Sequence, residues 1–260
     1  AKLSLKDGIK ISSADGKSTA QLSLLMQVDA AYLDRDKGDL PSGSEIRRAR
    51  LAVGGKSDVW SYRLEAELNG GTILTDAWGA WNGPVTVTAG HFKQPYSLEA
   101  LMSDKDLAFM ERSLASSLLA VRAPGLMVSD GGDAWSWAAG VFGEPLSTVT
   151  TDDEGGGLSA RGSWAPIVGD GRALHLASSL HWRKPAQNPA AVETWSLASK
   201  PEINLVPNGE RFLNTGNIAN ASDFYLLSLE AAKAFGPVLV QAGRVEVGFS
   251  EAAYQALFAH

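Results

Sequence analysis

Three arginines stand close together at Arg47, Arg48 and Arg50. A guanidinium carries five N–H donors in a rigid fork that matches phosphate oxygens, and it stays charged at any physiological pH. Neighbouring forks along one wall can pass an anion onward with no nucleophile or base. Arg63, Arg161 and Arg183 extend the candidate set, and the connection from 93 to 125 adds Lys93, Lys105, Arg112 and Arg122. The plainer use of these charges is to neutralise Glu65, Glu67 and similar acids in a wet interior.

Catalytic chemistry has little to work with here. The chain has no cysteine, no HExxH, no GxSxG and no Walker-type glycine loop. His175 and His181 share a strand parity but lie roughly 20 Å apart at strand rise, too far for one metal ion. Asp152-Asp153-Glu154 precedes three glycines without the spaced ligands of a calcium loop, so it reads as a solvated charge run. With 23 basic and 29 acidic residues the formal charge is −6, and no basic patch with interleaved aromatics favours nucleic acid. The reading is of a non-enzyme with no cofactor, no metal and no nucleic-acid partner.

The elements that would position the arginines are strands. From Trp60 to Asn69, Trp60, Tyr62, Leu64, Ala66 and Leu68 face one way while Ser61, Arg63, Glu65, Glu67 and Asn69 face the other. That period of two belongs to a strand with one apolar and one wet face. Similar runs cover Gln21 to Tyr32, where Leu25 is the main exception, and Leu174 to Arg183. Weaker ones cover 46–53, 85–92, 135–142, 158–164, 224–231, 238–245 and 252–258. In the first of these weaker runs, Ala49, Leu51 and Val53 would face outward and Arg48 and Arg50 inward. Arg47 would take the other parity, near a rim.

Tight turn signals such as Gly169-Asp170-Gly171 alternate with longer connections at 34–44, 93–125, 143–157 and 184–223, the two kinds of end seen in an up-and-down barrel. About 12 or 13 strands fit in 260 residues. Trp60, Trp78, Trp81, Trp135, Trp137, Trp164 and Trp182 fall within or at the ends of these strands, as interfacial girdles would. No run reaches the roughly 18 apolar residues of a spanning helix. The chain begins at Ala1 without Met or a signal-like stretch, as a processed protein would; zero cysteine fits passage through an oxidising space.

Ile46-Arg47-Arg48-Ala49-Arg50-Leu51, followed by Gly54-Gly55-Lys56 and Trp60-Ser61-Tyr62-Arg63, resembles the R-R-A-R-L…G…W-x-Y segment of the phosphate-selective porin O and P family. Gly90-His91-Phe92, with Leu98-Glu99 and Glu111-Arg112 after it, is similar to that family's strand end and inward loop, G-x-F…L-E…E-R. Leu174-His175-Leu176 with Trp182-Arg183 resembles a later strand. The resemblance implies a sixteen-stranded, homotrimeric barrel in the bacterial outer membrane, surrounded by lipid, whose basic constriction passes phosphate or other small anions.

By the same resemblance Lys105 falls in a pore loop folded inward, and Glu111-Arg112 matches its acid-base pair, which reads as an anchor for the loop rather than a selector of ions. Ala100 stands where the phosphate-selective members carry a lysine, and His91 where they read G-R-F. One positive charge is thus missing and another depends on pH, with Lys93 compensating in part. Sixteen such strands need about 300 residues, and His260 is not the usual terminal aromatic, so the expectation is one barrel domain over 1–260 whose last strands are absent.

Two readings follow. The first is an all-β, antiparallel transmembrane barrel passing small anions past Arg48, Arg50, Arg63, Lys105 and Arg112, with Arg47, His91, Lys93, Arg161 and Arg183 as further contributors. The second is a soluble or surface β-barrel or sandwich that binds a partner and transports nothing.

Overall fold

Alternating side chains organise the chain into strands, and the strands into one up-and-down sheet. A computed structural model describes residues 1–5, 8–32, 42–71, 73–113, 116, 122–146, 155–184, 194–195, 198–199, 213–216, 218–219, 222–250 and 255–259. The strands are β1 (Lys2–Ser4), β2 (Ile9–Ser12), β3 (Ser18–Ala31), β4 (Gly43–Ser57), β5 (Trp60–Glu67), β6 (Ile73–Asn82), β7 (Thr86–Lys93), β8 (Arg122–Gly131) and β9 (Trp135–Phe142). There follow β10 (Gly156–Gly169), β11 (Arg172–Lys184), β12 (Thr194–Trp195), β13 (Ala198–Ser199), β14 (Leu213–Asn214), β15 (Ile218–Ala219), β16 (Phe224–Phe235), β17 (Val238–Phe249) and β18 (Gln255–Ala259).

Fourteen of these form one antiparallel sheet, in the order β1 to β11 and then β16, β17, β18, while β12 with β15 and β13 with β14 make two small ribbons. Among the described residues β1 and β18 pair on one side only, so the sheet is open. The expected all-β, up-and-down architecture is present. The strand number agrees with the expected 12 or 13, the short strands β1 and β2 before the first alternating run bringing the sheet to fourteen. Two strands that alternation did not reveal are β6 and β8. The second of these begins at Arg122, which shortens the long connection after β7. The charge run Asp152-Asp153-Glu154 and much of the other long connections lie outside the described residues.

One parity of each strand turns inward. In β16 Phe224, Leu226, Ser228, Glu230 and Ala232 are buried, while Tyr225, Leu227, Leu229, Ala231 and Lys233 are exposed. Leu25 loses its status as an exception. It pairs with Arg50 across β3 and β4 and turns inward, so the polar parity carries an occasional apolar residue. Tight turns close the hairpins: Asp170 and Gly171 both have positive φ, +50° and +67°, as a type I′ turn between β10 and β11 requires.

Trp60, Trp81, Trp135 and Trp164 are exposed near the short-turn end of the sheet; Trp182 and Tyr225 are exposed toward the other. Trp78 departs from the girdle expectation. It turns inward against the cluster of Phe92, Ala123 and Phe142, opposite Gly90. Gly90 has φ +130°, and a Cβ there would stand 2.2 Å from the Ala77 carbonyl oxygen, so only glycine fits.

Candidate pore loop and basic cavity

Between β7 and β8 the chain leaves the wall and folds inside the sheet. Ser97 caps a single turn, α1 (Leu98–Leu101), by accepting from the Ala100 amide, and a 3₁₀ turn follows at Asp104–Asp106. Lys93, from the end of β7, reaches across and donates to the carbonyls of Ala100 at 2.8 Å and Met102 at 2.9 Å. Arg112 donates to the carbonyls of Glu99 and Met102 and to Asp104 Oδ1 at 2.5 Å. These bonds tie the loop's two ends together. Glu99 completes the knot by accepting from the Ser113 amide and the hydroxyls of Ser113 and Ser116.

The arginines of β4 hold this loop to the wall. Arg48 donates to Gln27 at 2.8 Å and to both carboxylate oxygens of Glu111; Arg50 pairs with Glu67 at 2.9 Å and with Asp104. Arg47 also reaches Glu111, at 2.6 Å. That corrects its expected place near a rim. A bulge opposite Gln27 and Val28 inserts Arg47 as an extra residue, which re-aims its side chain toward the loop. Burial alone would push the Asp104 carboxyl up, but the Arg112 hydrogen bond and the charges of Arg50, Arg112 and Arg48 hold it well below the usual carboxylate range.

The sequence candidates divide into two groups. Arg47, Arg48, Arg50 and Arg112 converge on Asp104 and Glu111, and Arg63 pairs with Glu65 and with Asp76 at 3.6 Å. Farther round, Arg161 pairs with Glu230, and Arg183 with Glu144 at 2.7 Å. Every arginine among them therefore faces a carboxylate, and the plainer reading of neutralised acids describes much of the network. His91 is buried beside Asp76 and Arg122, close enough to feel both charges, and does not line the cavity described next. Lys105 is exposed at the loop's tip and, like Lys93, is in no ion pair among the described residues.

Below the loop lies a cavity of about 1000 Å³, walled by β3 to β8 and roofed by Leu101, Ser103, Asp104 and Lys105. Its lining carries five cations, Arg50, Arg63, Lys93, Lys105 and Arg122, against three acids, Glu65, Asp76 and Asp104, a formal surplus of +2. Lys93 contributes a positive charge bound only to carbonyls. Arg122, expected in the loop with Lys93, Lys105 and Arg112, stands instead at the start of β8, where it pairs with Asp76 at 3.0 Å and lines the cavity. Its neighbour on β7 is Lys93, so cations meet where the loop leaves and rejoins the wall.

Residues 21–248 match the phosphate-selective porin O and P family. The chain belongs to that family. Membership points to a channel rather than an enzyme, and to the bacterial outer membrane. Among relatives, an uncharacterized protein of Caulobacter vibrioides is 32% identical over 177 residues, which cover 61% of this chain. The chain spans about a third of that relative's length (35%). No helix among the described residues is long and apolar enough to cross a membrane, and a porin crosses with strands.

Proposed function

We propose that this porin passes small anions by passive diffusion, through a water-filled path that runs beside the loop and through the basic cavity. The observation that carries the proposal is the surplus of cations on the cavity lining, with Lys105 exposed at its roof. An ion that loses part of its hydration shell in such a space follows the sign of the fixed charge. Paired arginines still contribute, because a guanidinium bound on one edge keeps donors on another. Phosphate is one candidate solute. The neutralised arginines and the alanine at position 100 favour a general anion preference over a phosphate-specific site.

In this reading the exposed aromatic and aliphatic parity of the strands meets outer-membrane lipid, and the protein assembles as a homotrimer, as its family resemblance implies. The test is current through planar bilayers carrying the full-length protein in chloride salt, with inorganic phosphate then added. Stepwise conductance with phosphate-dependent reduction of chloride current supports a basic path that phosphate enters. Conductance that phosphate leaves unchanged removes phosphate from the solutes, and a protein that never conducts overturns the proposal.

A further inference from the structure

The loop is held at a second place, on the wall opposite the β4 arginines. Arg161 of β10 pairs with Glu230 of β16 and also donates to the Tyr96 carbonyl at 2.7 Å and to Ser179 Oγ at 3.1 Å. Glu230 Oε2 accepts the amide of Leu98, the first residue of α1, at 2.7 Å. Ser179 donates to the same Tyr96 carbonyl at 3.2 Å. His175 Nε2 stands 3.2 Å from Arg161 Nη2.

Apolar contact reinforces these bonds. Tyr96 and Ala100 bury their side chains against Phe224, Leu226, Val245, Val247 and Phe249 of β16 and β17. The inward parity of β17 is apolar here, unlike that of β4 or β5, and the loop is what covers it. One segment thus bridges two walls: Tyr96 and Leu98 fix its start to β10, β11 and β16, and Asp104 and Glu111 fix its later part to β4.

We infer that Glu230, with Arg161, is a positioning residue for permeation. It holds the start of α1 against the far wall and thereby fixes the height and direction of Lys105, seven residues further on, over the cavity. The inference rests on the proposed anion path. Glu230 touches no solute in this scheme; it acts through the loop. The buried Arg161–Glu230 pair contributes little net stability against a hydrophobic pair, but it specifies one geometry, because a shifted loop would leave a buried charge and the Leu98 amide unpaired.

The experiment is a double-mutant cycle on the full-length protein in planar bilayers, comparing wild type, E230Q, K105A and the double variant by their anion-to-cation permeability ratios. Retained heat-modifiable migration in gels reports the folded barrel. E230Q keeps an acceptor for Leu98 but loses the charge that holds Arg161, so its permeability ratio is expected to fall roughly twofold or more. In the K105A background the same change is expected to have little effect, since the residue it positions is gone. If E230Q fails to fold, E230D retains the charge and retracts it by one methylene, and the same non-additivity is expected. A wild type that selects anions while E230Q, or E230D in its place, leaves the ratio unchanged overturns the inference alone. So does an equal effect with and without Lys105. A wild type that passes no anions overturns the channel reading itself.

Discussion

Arg48 Nη2 contacts both carboxylate oxygens of Glu111, at 2.9 and 2.7 Å, across 63 positions of sequence. The pair joins the middle of β4 to the far end of the pore loop, and the bulge beside it brings Arg47 to the same carboxylate. A loop fixed this way stays inside the sheet without closing the cavity beneath it.

Removing that carboxylate takes from Arg47 its ion pair and leaves Arg48, only 5% exposed, with Asp104 at 3.7 Å as its remaining carboxylate. Breaking one side of a buried pair costs about 3 kcal/mol or more. E111Q should therefore lower the urea midpoint of the folded protein clearly, while D133N, at an exposed position in the turn between β8 and β9, should have a far smaller effect. Equal midpoints for E111Q and wild type would contradict the anchoring role.

Asp104 gives the loop a dependence on acid. Its folded carboxyl lies below its unfolded value, so its stabilising contribution is fully present above the unfolded value of about 4 and is lost as the pH falls through lower values. Urea midpoints of wild type and D104N should differ at neutral pH and converge progressively below about pH 4. A difference that persists unchanged down to pH 2, or that grows there, would show that the carboxylate does not hold the loop.

Lys105 should control selectivity and leave stability alone. Its side chain is exposed and ties down no other element among the described residues. K105E is expected to lower the anion-to-cation permeability ratio severalfold, by reversing one of the few charges on the cavity lining, with a change in unfolding free energy within about 0.5 kcal/mol. A large loss of stability with intact selectivity would assign it a structural role.

The outer face carries a pair of its own. Arg244 and Glu246 of β17 lie 3.4 Å apart on the exposed parity, level with Leu229 and Leu227, between the exposed tryptophans of one end and Tyr225 of the other. An unpaired arginine at the centre of a lipid-facing surface costs about 2–4 kcal/mol. E246L should then destabilise the protein in phosphatidylcholine liposomes, and R244L/E246L should restore the loss. A neutral E246L would place this face away from the hydrocarbon.

Much of the wall was legible before any coordinates. Strict alternation in β5 and β11 follows from a pleat with one wet face and sets Arg63 and Arg183 on the inward parity, and the weaker alternation of β4 and β10 does the same for Arg48, Arg50 and Arg161. Arg47 escaped because a bulge depends on the register with β3, not on local pattern. Trp78 was misread because its inward space is made by Gly90 on the next strand, a fact invisible within β6. The acids that neutralise the arginines were harder still. Asp104 and Glu111 come from the loop and Glu230 from β16, and sequence spacing does not encode those meetings. Glu111-Arg112 reads as an anchor from its match to the family's acid-base pair, and the structure supplies its partners. The short strands β1 and β2 were missed for lack of length.

The measurement that bears most directly on anion passage is the zero-current potential of the full-length protein in a planar bilayer under a gradient of potassium chloride. A potential displaced toward the chloride equilibrium value is expected from a path whose lining carries more cations than acids. A potential displaced toward the potassium value, or no conductance from a well-folded protein, would contradict it.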